Sequence, residues 1–284
     1  IRDVERSRGL GDVYKRQIIG SLPFPDNNAK ERVKLQTMKI LNELYGIIEE
    51  DFISAELEIV PAFKAKDIGW DRSLIGGYGQ DDRSCAFAAF KATGDLTNDG
   101  DNNIITLFLD KEEIGSEGNT GAQSKFLEAL IIDLLEIQNN NINGGDITKA
   151  LYNAKAISAD VTGAFDPDWA DVHEKRNSAR LGYGISISKF TGHLGKLGAS
   201  DAHAEFMSYI RRLFNKNKII WQASELGKVD EGGGGTVAKY LANYGMDIVD
   251  CGVCIAGLHS PFEVAHKGDI YMTYKAYLAF LKDE

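Results

Sequence analysis

Cysteine is scarce in this chain, with Cys85, Cys251 and Cys254 the only three among 284 residues. That is too few for a disulfide framework in a chain of this length and fits a reducing, cytoplasmic setting. Basic residues are also in short supply: 32 Lys and Arg face 42 Asp and Glu, for a formal charge of -10. A surface so acidic opposes electrostatic binding to nucleic acid and to anionic membranes, both of which need basic patches. No apolar run approaches the roughly 20 residues of a membrane span, and no signal-peptide core is present. Small molecules or peptides are the partners left by these exclusions.

What is there suffices for a sizeable core. With 43% hydrophobic residues, the chain can build one large domain or two small ones. Residues 1–17 form a charged run without apolar period, similar to translated linker or adapter sequence, and are expected to lie outside the fold. Ile18 would then be the first authentic residue. From Ala29 to Glu49, apolar residues at Val33, Met38, Leu41, Leu44 and Ile48 recur at helical spacing. Ile53, Ala55, Leu57 and Ile59 alternate with polar residues and predict a strand ending at Pro61. Beyond it the two types alternate: helices over 84–93, 120–138, 202–215, 236–244 and 269–282, and strands over 104–109, 156–160, 181–189, 219–224 and 247–256. The pattern predicts an α/β fold with a mixed, mainly parallel sheet covered by helices on both faces. Ligands collect at the carboxyl ends of strands in such folds.

Several carboxylates fall at such places. Glu112 and Glu113 follow the apolar stretch Ile104 to Leu109; neighbouring carboxylates on a turn can divide the work, one binding a metal and the other taking a proton from its water. Taken alone, the pair also fits a solvated surface. Asp81 precedes a helix of small residues, where it could equally be a helix cap. Asp160 ends a strand and could be a turn residue. His259 follows another strand and offers the commonest nitrogen ligand for zinc. Together these residues make a mixed carboxylate and imidazole set suited to one or two zinc ions. His173, His193, His203 and His266 lack such placement. The glycine run 232–235 lacks a following Lys-Ser/Thr pair, which argues against a phosphate loop, and Cys251-Gly-Val-Cys254 reads as core packing inside a strand.

The motifs Tyr78-Gly-Gln-Asp-Asp-Arg83, Asp110-Lys-Glu-Glu-Ile-Gly-Ser-Glu-Gly-Asn-Thr-Gly121, Asp201-Ala-His-Ala-Glu-Phe206, Gly232-Gly-Gly-Gly-Thr-Val-Ala-Lys-Tyr240 and Leu258-His-Ser-Pro-Phe-Glu263 run in order along the chain. They resemble the aminopeptidase I and aspartyl aminopeptidase family of cocatalytic zinc exopeptidases. The resemblance implies a zinc-exopeptidase, phosphorylase/hydrolase-like fold and removal of N-terminal acidic or neutral residues from peptide substrates. It implies Glu112 as general base, Asp81 as the residue bridging two zincs, and Glu113, Asp160 and His259 as further ligands. It also implies a substrate pocket near Lys196, Gly233 and Gly234, and a homo-oligomer, dodecameric or dimer-based, in the full-length parent. The family's upstream histidine ligand has no counterpart before Asp81. Residues 18–30 resemble the tail of a family insert and 31–284 the C-terminal part of the catalytic domain, so a fold truncated at its N-terminus is expected. This piece would bind about one zinc tightly and a second weakly, with little peptidase activity. The alternative is an inactive peptidase-fold protein used for binding or assembly.

Overall fold

The computed structural model describes residues 18–97, 102–138, 141–194, 197–228 and 230–283. It divides into two compact units, Ile1–Ala62 and Phe63–Glu284. In the first, helix α1 (Arg32–Tyr45) is closed by Gly46 in the left-handed region, whose N–H donates to the carbonyl of Asn42. The alternating segment from Ile53 to Val60, expected as a strand, forms none: Leu57 and Ile59 are exposed. Alternation makes a strand only where a ladder partner exists, and the described residues of this unit offer none.

Among its described residues the second unit holds three sheets. Strands β1 (Lys66–Ile68) and β2 (Leu74–Gly77) precede α2 (Gln80–Gly94); α3 (Phe126–Gln138) and α4 (Gly144–Tyr152) lead to β3 (Lys155–Ser158) and β4 (Thr162–Gly163). Then come β5 (Ile185–Ser188), β6 (Phe190–His193), β7 (Leu197–Asp201), α5 (Ala204–Lys216), β8 (Trp221–Ala223), β9 (Gly233–Gly234) and α6 (Ala238–Ala242). The last elements are β10 (Asp247–Gly252), β11 (Cys254–Ala256), β12 (Glu263–His266) and α7 (Lys267–Lys282). The sheet orders are β1-β2-β12-β11-β4, β3-β10-β5-β8 and β7-β6-β9.

The architecture is mixed α/β, as expected, but its balance is corrected. Among the described strands, β10 with β3, β11 with β4, and β5 with β8 pair in parallel, and the other six pairings are antiparallel. Short hairpins such as β6–β7 and β11–β12 tip the count, because turns of a few residues can join only antiparallel neighbours. The expected strand 247–256 is also two strands in different sheets, β10 and β11, separated at Val253.

Strand β10 explains how helices cover both faces of its sheet. Ile248 packs with Leu151 of α4, Ala238 of α6 and Met246. Its neighbours Val249 and Cys251 join Ala88 and Ala92 of α2, Phe206, Ile210, Leu213 and Phe214 of α5, and Ala276 and Tyr277 of α7. Successive residues of a strand point to opposite faces, so one strand serves two cores. The α5 residues recur at helical spacing, and each buried large side chain contributes about 1.5–3 kcal/mol. The connection from β2 into α2, the segment after β3 and the loop between β11 and β12 carry Asp81, Asp160 and His259.

Candidate metal centre

Asp81 heads α2 after Gly79, which lies in the left-handed region at φ 69°. Asp81 and Asp82 have non-helical backbone angles, so this first turn is held open, and the peptide bond between them is cis. His259 occupies the left-handed region at φ 63°, and its Nε2 lies 2.8 Å from Asp81 Oδ2 and 3.4 Å from Glu113 Oε1. Ligand atoms of Asp81, Glu113 and His259 all fall within 4.8 Å of one another, as do those of a second group, Asp81, Asp82 and Asp160. Asp81 belongs to both.

Glu112 and Glu113 sit on a short 3-10 turn, Glu112–Ile114, between Lys111 and Gly115, both in the left-handed region. The carbonyl of Gly115 accepts from Tyr240 Oη and from Gln123 Nε2, each at 2.9 Å, which fixes the end of the turn. The stretch before it does not form the buried strand expected over 104–109. It carries no strand pairing among the described residues, and Ile105 and Phe108 are exposed. The helix expected over 120–138 begins only at Phe126.

Charge crowding dominates the chemistry. Burial, then the charge of Asp81, pushes Asp82 up to about 8. Burial, then Glu113, pushes Glu112 up to about 7. Asp160 is raised well above the usual carboxylate range by burial and by Asp82, and Glu113 is raised chiefly by burial. A further carboxylate, Asp250 on β10, is buried and raised to about 6, its desolvation only partly offset by the hydroxyls of Ser158 and Thr236. His259 moves the other way in charge: its hydrogen bond to Asp81 holds it protonated up to about 9. One Asp82 oxygen, Oδ1, is buried without a hydrogen-bond partner. Carboxylates so placed favour a cation between them, since each must otherwise take up a proton.

Residues present therefore fit a metal. One group offers two carboxylates and an imidazole, a set zinc accepts; the other offers only carboxylates, which suit harder cations better. The structure brings together Asp81, Glu112, Glu113, Asp160 and His259, all singled out from sequence. It adds Asp82, Asp250 and Glu263, whose carboxylate accepts from the N–H groups of Asp81 and His259. A charged residue inside the apolar run of β10 was the available signal for Asp250. Lys196 lies outside the described residues. Gly233 and Gly234 form β9 and pair with His193 and Gly192; a side chain on Gly233 would overlap the carbonyl of Gly192, so its identity has a packing cause within the sheet.

Residues 5–281 match the sequence profile of the family described as Aminopeptidase I zinc metalloprotease (M18). A probable M18 family aminopeptidase 1 of Clostridium acetobutylicum is 51% identical over 266 residues, which cover 94% of this chain and 57% of that protein. The crystal structure of an M18 aminopeptidase from Thermotoga maritima superposes with a TM-score of 0.86 at 45% identity, over 93% of this chain and 58% of that one. The mApe1 dodecamer of S. cerevisiae, 21% identical, shares the fold at a TM-score of 0.67 over 87% of this chain and 55% of that one. The chain thus spans 57% and 58% of the lengths of the Clostridium and Thermotoga proteins.

Proposed function

The chain belongs to the aminopeptidase I zinc metalloprotease (M18) family, and from that membership we propose that it carries the metal-holding and proton-transferring residues of a metalloaminopeptidase acting on peptides. The observation that carries the reading is the convergence of Asp81, Glu113 and His259 on one point from three separate segments. Asp81, Glu113 and His259 would hold one zinc. Asp81 and Asp160, with Asp82 beside them, would hold a second more weakly, because that set lacks a nitrogen donor.

Zinc supplies a water of lowered pKa and polarises the scissile carbonyl. Glu112, raised to about 7, is poised to take a proton near neutral pH and return it to the departing amine. Its neighbours set that poise: Glu113 and Asp81 raise its proton affinity, and His259 restrains it. By the resemblance to aspartyl aminopeptidases, Lys196 would favour acidic N-terminal residues, since an acidic side chain needs a cation in its pocket; neutral residues are the other preference within the family reading. Gly233 and Gly234 would line the same pocket. A homo-oligomer, dodecameric or dimer-based, is the proposed assembly of the complete enzyme. The described residues contain no helix long and apolar enough to cross a membrane. The proposed cytoplasmic location rests on the three cysteines, which are buried and free.

The test is hydrolysis of Asp- and Leu-linked chromogenic amides by the zinc-loaded chain, with metal content measured alongside. Hydrolysis should fall well below that of the Clostridium relative and decrease a further 100- to 10,000-fold, roughly, in Glu112→Gln. Lys196→Met should lower the Asp rate and leave the Leu rate. Hydrolysis insensitive to Glu112, or two tight zincs with turnover matching the relative, would overturn the assignment as written.

A further inference from the structure

Glu263 is the first residue of β12, paired in register with Gly77 of β2, and is only 2% exposed. A carboxylate buried this deeply needs strong donors. Its Oε1 accepts from the backbone N–H of His259 at 2.8 Å and its Oε2 from the backbone N–H of Asp81 at 3.2 Å. The two donors lie on segments 178 residues apart in sequence, one in the loop between β11 and β12, the other at the head of α2. Both are N–H groups that regular structure leaves over. Asp81 is extended at the open first turn of α2, where backbone donors have no intrahelical acceptor. His259 is a non-glycine residue in the left-handed region, a conformation that persists where surrounding contacts impose it.

We propose that Glu263 is a positioning residue: its two carboxylate oxygens clamp the backbones of Asp81 and His259 so that the side chains of both reach one cation. The inference rests on the metal-centre reading above, with Asp81 and His259 as ligands. Side chains on different segments keep a fixed separation only if their backbones do, and the Asp81 and His259 side chains meet at 2.8 Å. Glu263 belongs to neither group of ligand atoms; the hydrogen bonds it accepts here come from main-chain groups. Partners that orient ligands in this way are worth about 10- to 100-fold in metal affinity.

The chemistry of the clamp selects the probe. A carboxylate presents an acceptor to each N–H, whereas an amide of the same shape presents one acceptor and one donor, so Glu263→Gln must release one arm. Three measurements on the full chain decide the matter: zinc affinity by competition with a chromophoric chelator, the visible spectrum of the cobalt-substituted protein, and hydrogen exchange at the Asp81 and His259 amides in chelator. The expected result for Glu263→Gln is roughly 10- to 100-fold weaker zinc binding, an altered cobalt spectrum and faster exchange at one or both amides. Glu263→Asp, which keeps both acceptors on a shorter arm, should retain more zinc affinity than Glu263→Gln and serves where the glutamine variant fails to fold. Unchanged affinity and spectrum in Glu263→Gln, or equal losses in both variants, would overturn the proposal. If the unmodified chain itself binds no zinc, the metal reading fails; the exchange measurement still judges the clamp, with unaltered protection in the variant counting against it.

Discussion

Gly252 shows how tightly the backbone of the site is drawn. A Cβ at this position would overlap the carbonyl oxygen of Asp160 and press on the sulfur of Cys85. Only glycine lets β10 pass so close to the segment carrying a proposed ligand. Gly252→Ala is therefore expected to destabilise by about 1–3 kcal/mol, the cost of overpacking a filled core, and to weaken zinc binding as Asp160 shifts. Chemical denaturation and zinc titration of the variant check both; unchanged stability would mean that β10 and the Asp160 segment separate freely. At this scale the sequence reading singled out Asp81, Glu112, Glu113, Asp160 and His259 for their chemistry, and the structure brings them together although no strand precedes the glutamate pair. It missed Asp82, Asp250 and Glu263 because their significance lies in what they face. Asp82 looks like a duplicate of Asp81 until its unpartnered Oδ1 is seen beside Asp160. Glu263 looks like a surface residue until β12 turns it inward against two N–H groups.

At the scale of elements, strong helical periodicity was legible, and so were β3, β5 and β8 at the strands expected over 156–160, 181–189 and 219–224, while several other short strands were not. The pattern over 202–215 became α5, whose Phe206, Ile210, Leu213 and Phe214 are all buried. Phe214 has no exposed surface and contributes to the core shared with α2, β5, β10 and α7, so Phe214→Ala should cost about 3–5 kcal/mol. A urea midpoint little changed from that of the unmodified chain would show that this core collapses around the gap. Strands of two to four residues, such as β4, β6, β9 and β12, carry too few positions for alternation to register. The reverse error occurred at 53–60 and 104–109, where apolar pattern was present and strand pairing was not. Pattern records which side chains could be buried; a strand also needs a neighbour to take its N–H and C=O groups. The turn at Glu112–Ile114 survives this error because its shape comes from left-handed residues at both ends and from Tyr240 and Gln123 at Gly115.

For the molecule as a whole, the concentration of negative charge in one place makes stability depend on pH and metal together. Asp250, Glu112 and Asp82 are raised to about 6, 7 and 8, and Asp160 and Glu113 are raised as well, burial being the leading cause in each case. His259 is raised to about 9 by Asp81. Every shift has the same sense: the folded chain holds these protons more tightly than the unfolded one. Where the native state binds more protons, stability falls as pH rises. The loss begins above the unfolded carboxylate values near 4 and runs through the folded values, with His259 adding its part between its unfolded value of about 6.5 and about 9. In chelator, the thermal midpoint is accordingly expected to fall from pH about 6 to about 9. A bound cation reverses the sign, because it favours ionised carboxylates and neutral imidazole and its affinity climbs as those protons leave. With zinc present the midpoint should hold or rise over the same range, and the gap between the two curves should widen with pH. Ion pairs on the surface, such as Lys91 with Asp95 and Lys267 with Asp67, do not mimic this, since their carboxylates are lowered and titrate below the window. Melting curves with and without zinc at several pH values decide it: a chelated curve that is flat or rising between pH about 6 and about 9 would mean that the crowded carboxylates are neutralised by something other than protons.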